Sequence, residues 1–309
     1  MGDAMIGSMP DGPRVAVILC TRDRPAFLKA ALTSVAAAVR DDDEVLVVDS
    51  ASLDPAVCRV AEDAGVRVVR APRPGLALAR NVGVAATTAP VVAFTDDDCR
   101  PEPHWTARLA AQFVDPSVGF VTGRVLPDRS GGPMVSVKTD EVPRRFEGAQ
   151  DPATTGHGAN MAMRRLALEA IGGFDEVLGA GARFCAGEDH DVFYRLLREG
   201  WVGAYDPDVV VVHEQWRRTG AVFRLRYGYG IGAGAVAVKA IKLDGALGRR
   251  LLWRRLWNGG LLVTLRAART GYRGGMADGL IRGVAGTTVG AFKAARVPLR
   301  SGLLDARHK

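Results

Sequence analysis

Apolar positions come first in short unbroken blocks and only later at helical spacing. Val15 to Cys20 is a continuous apolar run, the kind that lies buried on both faces of a parallel sheet. Pro25 follows where a helix can begin, and Leu28, Leu32 and Val35 repeat behind it at helical spacing. Glu44 to Asp49 predicts a second strand, Ala56 to Ala64 a short helix, and Val66 to Val69 a third strand, with Gly65 as the helix stop. A helix over Leu76 to Ala86 then leads to a fourth strand, Val91 to Thr95. Strands alternating with helices through short connections predict a doubly wound, mostly parallel α/β sheet covered on both faces. Beyond Pro103 the pattern loosens. It predicts a strand over Phe120 to Val125, a loop-rich stretch over Asp128 to Gln150, helices over Arg164 to Ile171 and Glu188 to Glu199, and a late buried strand over Asp208 to Val212. After His213 the residues turn to Arg, Gly, Ala and Leu at helical spacing. The chain thus divides into a short flexible N-terminus (1–13), an α/β domain (14–214) and a basic helical C-terminal region (215–309).

Composition adds two constraints. The four cysteines, Cys20, Cys58, Cys99 and Cys185, lie far apart without a Cys-x-x-Cys pair, which argues against a zinc site or disulfide framework and fits a reducing cytoplasm. No basic start followed by an apolar core opens the chain, so no signal peptide is expected. The net charge of +7 conceals an asymmetry: residues 214–309 carry 19 Lys+Arg against 4 Asp+Glu, and the preceding part is net −8. An acidic body with a basic tail predicts that the tail meets a polyanion, or else that it is a solvated helical face.

Chemistry concentrates at strand ends. Asp96, Asp97 and Asp98 close the fourth strand, the edge where open α/β sheets bind ligands. Three adjacent acids repel one another unless a cation neutralises them, and hard oxygen ligands suit Mg²⁺ or Mn²⁺ holding a polyphosphate. A solvated acidic turn is the alternative for that segment alone. Thr21-Arg22-Asp23-Arg24 follows the first strand and Asp49-Ser50-Ala51-Ser52 the second, so one sheet rim gathers all three segments. Asp49 could accept hydrogen bonds from a base or ribose, with Arg80 and Asn81 approaching it. Gly187-Glu-Asp-His-Asp191 opens a helix; capping explains one acid there, but not three acids and a histidine. Asp189 and Asp191 lie about 200° apart on an ideal helix, so only one can face a substrate. His213, after the late strand, reads as structural or as a metal ligand. Tyr229-Gly-Ile-Gly-Ala-Gly-Ala235 lacks the preceding strand and following acid of a dinucleotide site, and predicts a tight helix crossing instead.

Six segments in order, Val17-Ile-Leu-Cys-Thr-Arg-Asp-Arg-Pro25, Val47-Val-Asp-Ser-Ala-Ser52, Gly75-Leu-Ala-Leu-Ala-Arg-Asn81, Phe94-Thr-Asp-Asp-Asp98, Gly172-Gly-Phe-Asp175 and Gly187-Glu-Asp189, resemble the motifs of family 2 glycosyltransferases. The resemblance covers roughly residues 14–213. It implies a GT-A fold, a nucleotide-diphosphate sugar as donor, a divalent metal (Mg²⁺ or Mn²⁺), a hydroxyl acceptor and inversion at the anomeric carbon. It also implies that Thr21 and Asp49 contact the nucleoside, with Arg22 and Arg80 beside the donor. Asp96, Asp97 and Asp98 would be the Asp-x-Asp segment, Asp98 the direct metal ligand with Asp96, and His213 a further holder of metal or diphosphate. Asp189 would be the catalytic base. Two features depart from the family: Asp-Ser-Ala-Ser stands where Asp-Asn-Gly-Ser or Asp-Asp-Gly-Ser is usual, and Gln215-Trp-Arg-Arg218 lacks the Gln-x-x-Arg-Trp spacing of processive synthases. The second favours transfer of a single sugar.

Other Asp-x-Asp chemistry fits less well. A phosphotransferase would commonly have Thr where Arg100 stands, and a pyrophosphorylase would want a Gly-rich loop after the first strand. A non-catalytic membrane-associated adaptor leaves the acidic clusters unexplained. The tail sets Leu252, Trp253, Leu256 and Val263 against Arg250, Arg254, Arg255 and Asn258, a pattern that can lie on an anionic membrane surface. The expected location is therefore the cytoplasm, peripheral at the inner face of the membrane, with a lipid-linked or cell-envelope acceptor and no nucleic acid partner. Gly259-Gly260 predicts a break that keeps any such helix short.

Overall fold

A computed structural model describes residues 12–128 and 133–305; of the expected flexible N-terminus (1–13), only Gly12 and Pro13 fall within them. The first half runs β1 (Val15–Thr21), α1 (Pro25–Ala36), β2 (Glu44–Asp49), α2 (Ala56–Asp63), β3 (Arg67–Arg70), α3 (Leu76–Ala85) and β4 (Val91–Asp96). The expected elements are all present. Strands β3, β2, β1 and β4 lie side by side and parallel, in that order. β1 is buried along its whole length because apolar residues meet helices on both faces. Val15, Val17 and Leu19 face a cluster with Leu28, Leu32 and Trp105, while Ala16 and Ile18 face another with Phe94, Phe174 and Phe193.

The second half completes the sheet with elements that the apolar pattern shows poorly. They are β5 (Cys99–Pro101), α4 (Trp105–Gln112), β6 (Val118–Pro127), β7 (Arg144–Phe146), β8 (Asn160–Arg164), α5 (Arg165–Ala170), α6 (Glu188–Arg198) and β9 (Val202–His213). β8 inserts antiparallel between β4 and β6, β9 runs parallel to β6, and β5 and β7 pair antiparallel with β9. β9 is longer than the expected Asp208 to Val212. The polar stretch Asp206-Pro-Asp208 hides its continuity, and the register with β6 shifts there to pass it. The pairing of β5 with β9 sets Cys99 opposite His213 and so carries Asp98 to that histidine.

The C-terminal region is helical, as expected: α7 (Thr219–Leu243), α8 (Gly245–Leu256), α9 (Leu262–Arg269), α10 (Arg273–Asp278) and α11 (Thr287–Ala295), with a small hairpin of β10 (Leu299–Arg300) and β11 (Leu303–Leu304). Gly259-Gly260 does not break the helix. A wide π turn over Trp257–Leu261 carries α8 straight into α9, and a second, Gly279–Gly286, joins α10 to α11. The glycines serve contact instead: a Cβ on Gly283 would lie 2.2 Å from the Gly259 carbonyl oxygen. The Gly-x-Gly-x-x-Ala stretch works likewise, as a Cβ on Gly230 would meet the Arg282 oxygen at 2.2 Å and one on Gly234 the Thr287 oxygen at 2.1 Å. It is a tight helix crossing.

These helices pack closely on one another, and α7 also carries a seam onto the α/β part. Ile231, Ala235, Val236 and Val238 of α7 share one core with Val177, Leu178 and Phe184 of the α/β part. The fully buried Lys239 joins them covalently distant but close in space: its Nζ lies 2.6 Å from Asp175 and 2.8 Å from Asp191. Buried contacts thus cross the change in composition near residue 215.

Candidate active site

Burial and topology bring the β1, β4 and β9 ends together. The Thr21 hydroxyl donates to Asp97 Oδ2 at 2.7 Å, and Arg24 Nη1 donates to Asp97 Oδ1 at 2.9 Å. Burial pushes the Asp97 carboxyl up to about 6 although Arg24 and Thr21 pull it down. Asp97 thus ties the β1 loop to β4. Asp98 accepts from the Trp216 indole at 2.8 Å and has Arg24, His213 and Arg217 at 3.4, 3.4 and 3.7 Å. Burial raises its pKa, but His213, Trp216 and Arg217 outweigh burial and hold it down at about 2.

Gln215 decides how His213 is used. Its amide exchanges two hydrogen bonds with the Val135 backbone, oxygen accepting at 2.9 Å and nitrogen donating at 3.2 Å, which fixes which way the amide faces. The same nitrogen lies 2.7 Å from His213 Nδ1. Nδ1 must then accept, and the network assigns the ring hydrogen to Nε2, aimed at Asp98. In this arrangement His213 holds Asp98; it offers a metal a lone pair only if the Gln215 amide turns over.

Arg80 differs from expectation. It does not approach Asp49. It lies buried between the Phe94 and Phe174 rings, 2.9 Å from Glu188 and 3.5 Å from Asp96. Asp49 is fully buried and instead accepts from Arg70 and, at 2.7 Å, from the Ser52 backbone N–H. It lies beneath the Ser50–Ser52 turn, and Ser50, not Asp49, lines the cleft. Arg22 lines the cleft as well, half-exposed, with Asp23 at 3.6 Å.

The second acidic cluster faces the same space. Gly187 takes φ 90° at the start of α6, a left-handed conformation that suits glycine. Asp189 then accepts from the Gly158 N–H at 2.8 Å and from the His190 N–H at 2.7 Å. Burial pushes its carboxyl up, but His190, Arg80 and His157, with the Gly158 bond, leave it below the usual range. Burial and the neighbouring Asp189 raise Glu188 to about 7. Asp191 points elsewhere, into the core, where Arg195 and Lys239 hold it at 2.8 Å each.

One cleft of about 820 Å³ joins these groups, lined by Thr21, Arg22, Asp96, Asp97, Asp98 and His213 and also by His157, Glu188, Asp189 and His190. One wall is C-terminal: Tyr229 and Gly230 of α7, with Arg255 and Arg282. The donor set fits a divalent cation. Ligand atoms of Asp98, Cys99 and His213 lie within 4.8 Å of one another, and Asp96 opens onto the cleft beside them; the carboxylate oxygens suit Mn²⁺ or Mg²⁺, the deeply buried, protonated Cys99 thiol does not, and His213 joins only after the Gln215 turn. His157, Asp189 and His190 form a second such group.

Sequence reasoning missed Glu188, Arg24, Trp216 and Arg217. Glu188 was visible in the Gly-Glu-Asp motif. Trp216 and Arg217 belong to the segment that failed the processive spacing, yet both grip Asp98.

The family model for glycosyl transferase family 2 matches residues 16–172, which includes β1 through the Asp96–Asp98 edge. The chain belongs to glycosyl transferase family 2. This family 2 chain is 30% identical over 227 residues to the pre-mycofactocin glycosyltransferase of Mycobacterium tuberculosis strain H37Rv, covering 66% of itself and 44% of that protein. It is 36% identical over 116 residues to an uncharacterised glycosyltransferase of the same strain, covering 38% of itself and 50% of the other. The chain thus spans about half the length of the curated relatives it matches. Among solved structures it resembles a mannosyltransferase from Pyrobaculum calidifontis in complex with GDP-Man and Mn²⁺, with TM-score 0.63, 23% identity, and 92% and 87% of the two chains covered. It also resembles GalNAc-T7 with UDP, GalNAc and Mn²⁺, with TM-score 0.59, 17% identity, and 85% and 55% covered. The fold is GT-A, extended by C-terminal helices.

Proposed function

We propose that this family 2 chain transfers one sugar from a nucleotide-diphosphate sugar to an acceptor hydroxyl, with inversion. The observation that carries the reading is that Asp98, gripped by Trp216, Arg24 and Arg217, and Asp189, oriented by two backbone N–H groups, face one cleft. The solved neighbours are bound to GDP-Man or to UDP, each with Mn²⁺, which supports a donor of that class and a metal.

The nucleoside would lie against Thr21, Arg22 and Ser50, with Asp49 holding the Ser50–Ser52 turn beneath it. Asp98 and Asp96 would hold Mg²⁺ or Mn²⁺, with His213 joining them if the Gln215 amide turns. A metal there supplies charge stabilisation for the leaving diphosphate. Arg24 and Arg217 keep Asp98 in place and add positive charge on the same side. Asp189 takes the acceptor's hydroxyl proton as its oxygen bonds to the anomeric carbon, while the bond from that carbon to the diphosphate oxygen breaks and its electron pair leaves with the nucleotide. A single displacement needs a base and no enzyme nucleophile. Arg80, wedged under Asp96 and Glu188, fixes the floor between donor and base.

The acceptor would be lipid-linked or a cell-envelope glycan precursor, met at an anionic membrane surface. No described helix is long and apolar enough to cross a membrane. The outer face of α8 and α9 instead exposes Trp253, Trp257, Leu261 and Leu265, at 61%, 39%, 38% and 47%, with Trp253 and Trp257 stacked. Of the apolar row the spacing suggested, Trp253 alone belongs to this face: Leu252, Leu256 and Val263 are half-buried, and Arg255 turns into the cleft. Arg250 and Arg254 flank the exposed row and suit anionic headgroups.

Thermal-shift screening of nucleotide sugars with Mn²⁺, followed by assay of nucleoside diphosphate released with candidate acceptors, tests the transferase reading. A selective, metal-dependent shift by one donor is expected. Equal indifference to every nucleotide sugar, with and without metal, would overturn it.

A further inference from the structure

We infer that the part of the cleft walled by the C-terminal helices binds an anionic group, a phosphate or carboxylate, carried by the acceptor. The inference rests on the transferase reading of the same cleft and adds the acceptor's chemical class. Three guanidinium groups line this part of the cleft beside Asp278, and a fourth, Arg254, lies on the exposed side of Asp151. Arg226 and Arg282 lie 3.2 and 3.0 Å from Asp278, and Arg254 and Arg255 lie 3.8 and 3.4 Å from Asp151. Arg226, Arg255, Arg282 and Asp278 all line the cleft. The group carries two positive charges in excess.

Arg255 is the clearest member. Among the described residues its one side-chain hydrogen bond, to Asp151, is 3.4 Å long, whereas a guanidinium has five N–H donors in a rigid fork matched to carboxylate and phosphate. Burial, with Arg282 and Arg254 close by, pulls its pKa down despite Asp151. Like charges gathered in a half-buried wall are unfavourable, and an incoming anion removes that cost while using the idle donors.

The position favours the acceptor over the donor. In the proposed reading the donor's diphosphate would lie at Asp96, Asp98, Arg24 and Arg217, on the sheet edge. The arginine group is anchored through Asp151, at the head of the segment that carries His157 and Gly158, and Gly158 holds Asp189. It therefore stands on the side of the base, where the acceptor enters. The anion would sit apart from the reacting hydroxyl and orient it, as remote binding groups do.

The experiment uses the full chain saturated with Mg²⁺ and its nucleoside diphosphate, so that the donor site is filled, and titrates inorganic phosphate and malonate by calorimetry. Wild type should bind at least one of them. Arg255→Gln/Arg282→Gln should weaken that binding tenfold or more, and Asp278→Asn, which frees Arg226 and Arg282, should tighten it. Nucleoside diphosphate affinity, measured separately, should stay unchanged in all variants; its absence in wild type would count against the transferase reading instead. Vesicles of phosphatidylcholine with phosphatidic acid separate the sources. Binding that phosphate competes away and the double variant loses marks a lipid phosphate, and vesicle binding indifferent to both marks a soluble anionic acceptor. Absence of phosphate and malonate binding in wild type, or equal binding in the double variant with its fold intact by melting temperature, would overturn the inference.

Discussion

Asp189 and Asp191 stand two residues apart on α6 and do opposite work. Asp191 is sealed in the core with Lys239 and Arg195, whereas Asp189 lines the cleft on two backbone N–H groups. Asp189→Asn should therefore cut turnover by about 10²- to 10⁴-fold, the usual worth of a general base, and leave donor affinity nearly unchanged. Single-turnover kinetics with parallel donor titration check this; a variant keeping more than half the wild-type rate would show the base lies elsewhere. The helix period made the opposite facing of Asp189 and Asp191 legible, while the preference for Asp189 came from its place in the Gly-Glu-Asp motif. The partner of Arg80 was not legible: Glu188 is 108 residues away, and nothing local distinguishes it from Asp49 as the acid that Arg80 meets. The roles of Trp216 and Arg217 were hidden for the same reason, since their contact with Asp98 exists only once β5 pairs with β9.

At the scale of elements, β1 to β4 could be read from apolar runs because parallel strands buried on both faces leave uninterrupted Val, Ile and Leu. β8 could not, since Asn160-Met-Ala-Met-Arg164 contains no β-branched residue, and β5 is three residues ending in proline. The helices after residue 215 were legible in kind but not in facing. Spacing alone allowed several apolar stripes, and packing against Gly283 chose which one stays exposed. Changing Trp253 and Trp257 to Ser should reduce co-sedimentation with anionic vesicles several-fold, and added salt should weaken wild-type binding. Both tryptophans are exposed, so the melting temperature should barely move. Wild-type protein that stays in the supernatant with anionic vesicles at low salt would dismiss the membrane face and leave the transferase reading intact.

For the whole molecule, Lys239 couples the two parts of the chain. It is fully buried between Asp175, which also accepts from the Leu304 N–H at 2.8 Å, and Asp191. Removing one partner of a buried ionic group strands the others, so Lys239→Met should cost about 3–5 kcal/mol by denaturant titration. Burial raises the Asp191 pKa, but Arg195 and Lys239 outweigh it and hold the carboxyl below its ordinary value. A carboxylate depressed in the folded state stabilises fully above its unfolded pKa of about 3.9, and that contribution fades as pH falls below it. Stability of the wild type should thus decline more steeply below about pH 4 than that of Asp191→Asn, which starts lower at neutral pH and lacks this titration. Equal slopes would separate Asp191 from the clamp. The shared core of α7 with Val177, Leu178 and Phe184 could not be read in advance, because the composition change at residue 215 gives no sign of the buried contacts that cross it.

The most direct test of the account is calorimetric titration of UDP and GDP into wild type, Asp98→Asn and Asp189→Asn, each with and without Mn²⁺. The account predicts that one nucleotide binds wild type in a metal-dependent way, that Asp98→Asn loses at least tenfold in affinity, and that Asp189→Asn binds as wild type does. Nucleotide binding that ignores both the metal and the Asp98 substitution would contradict it.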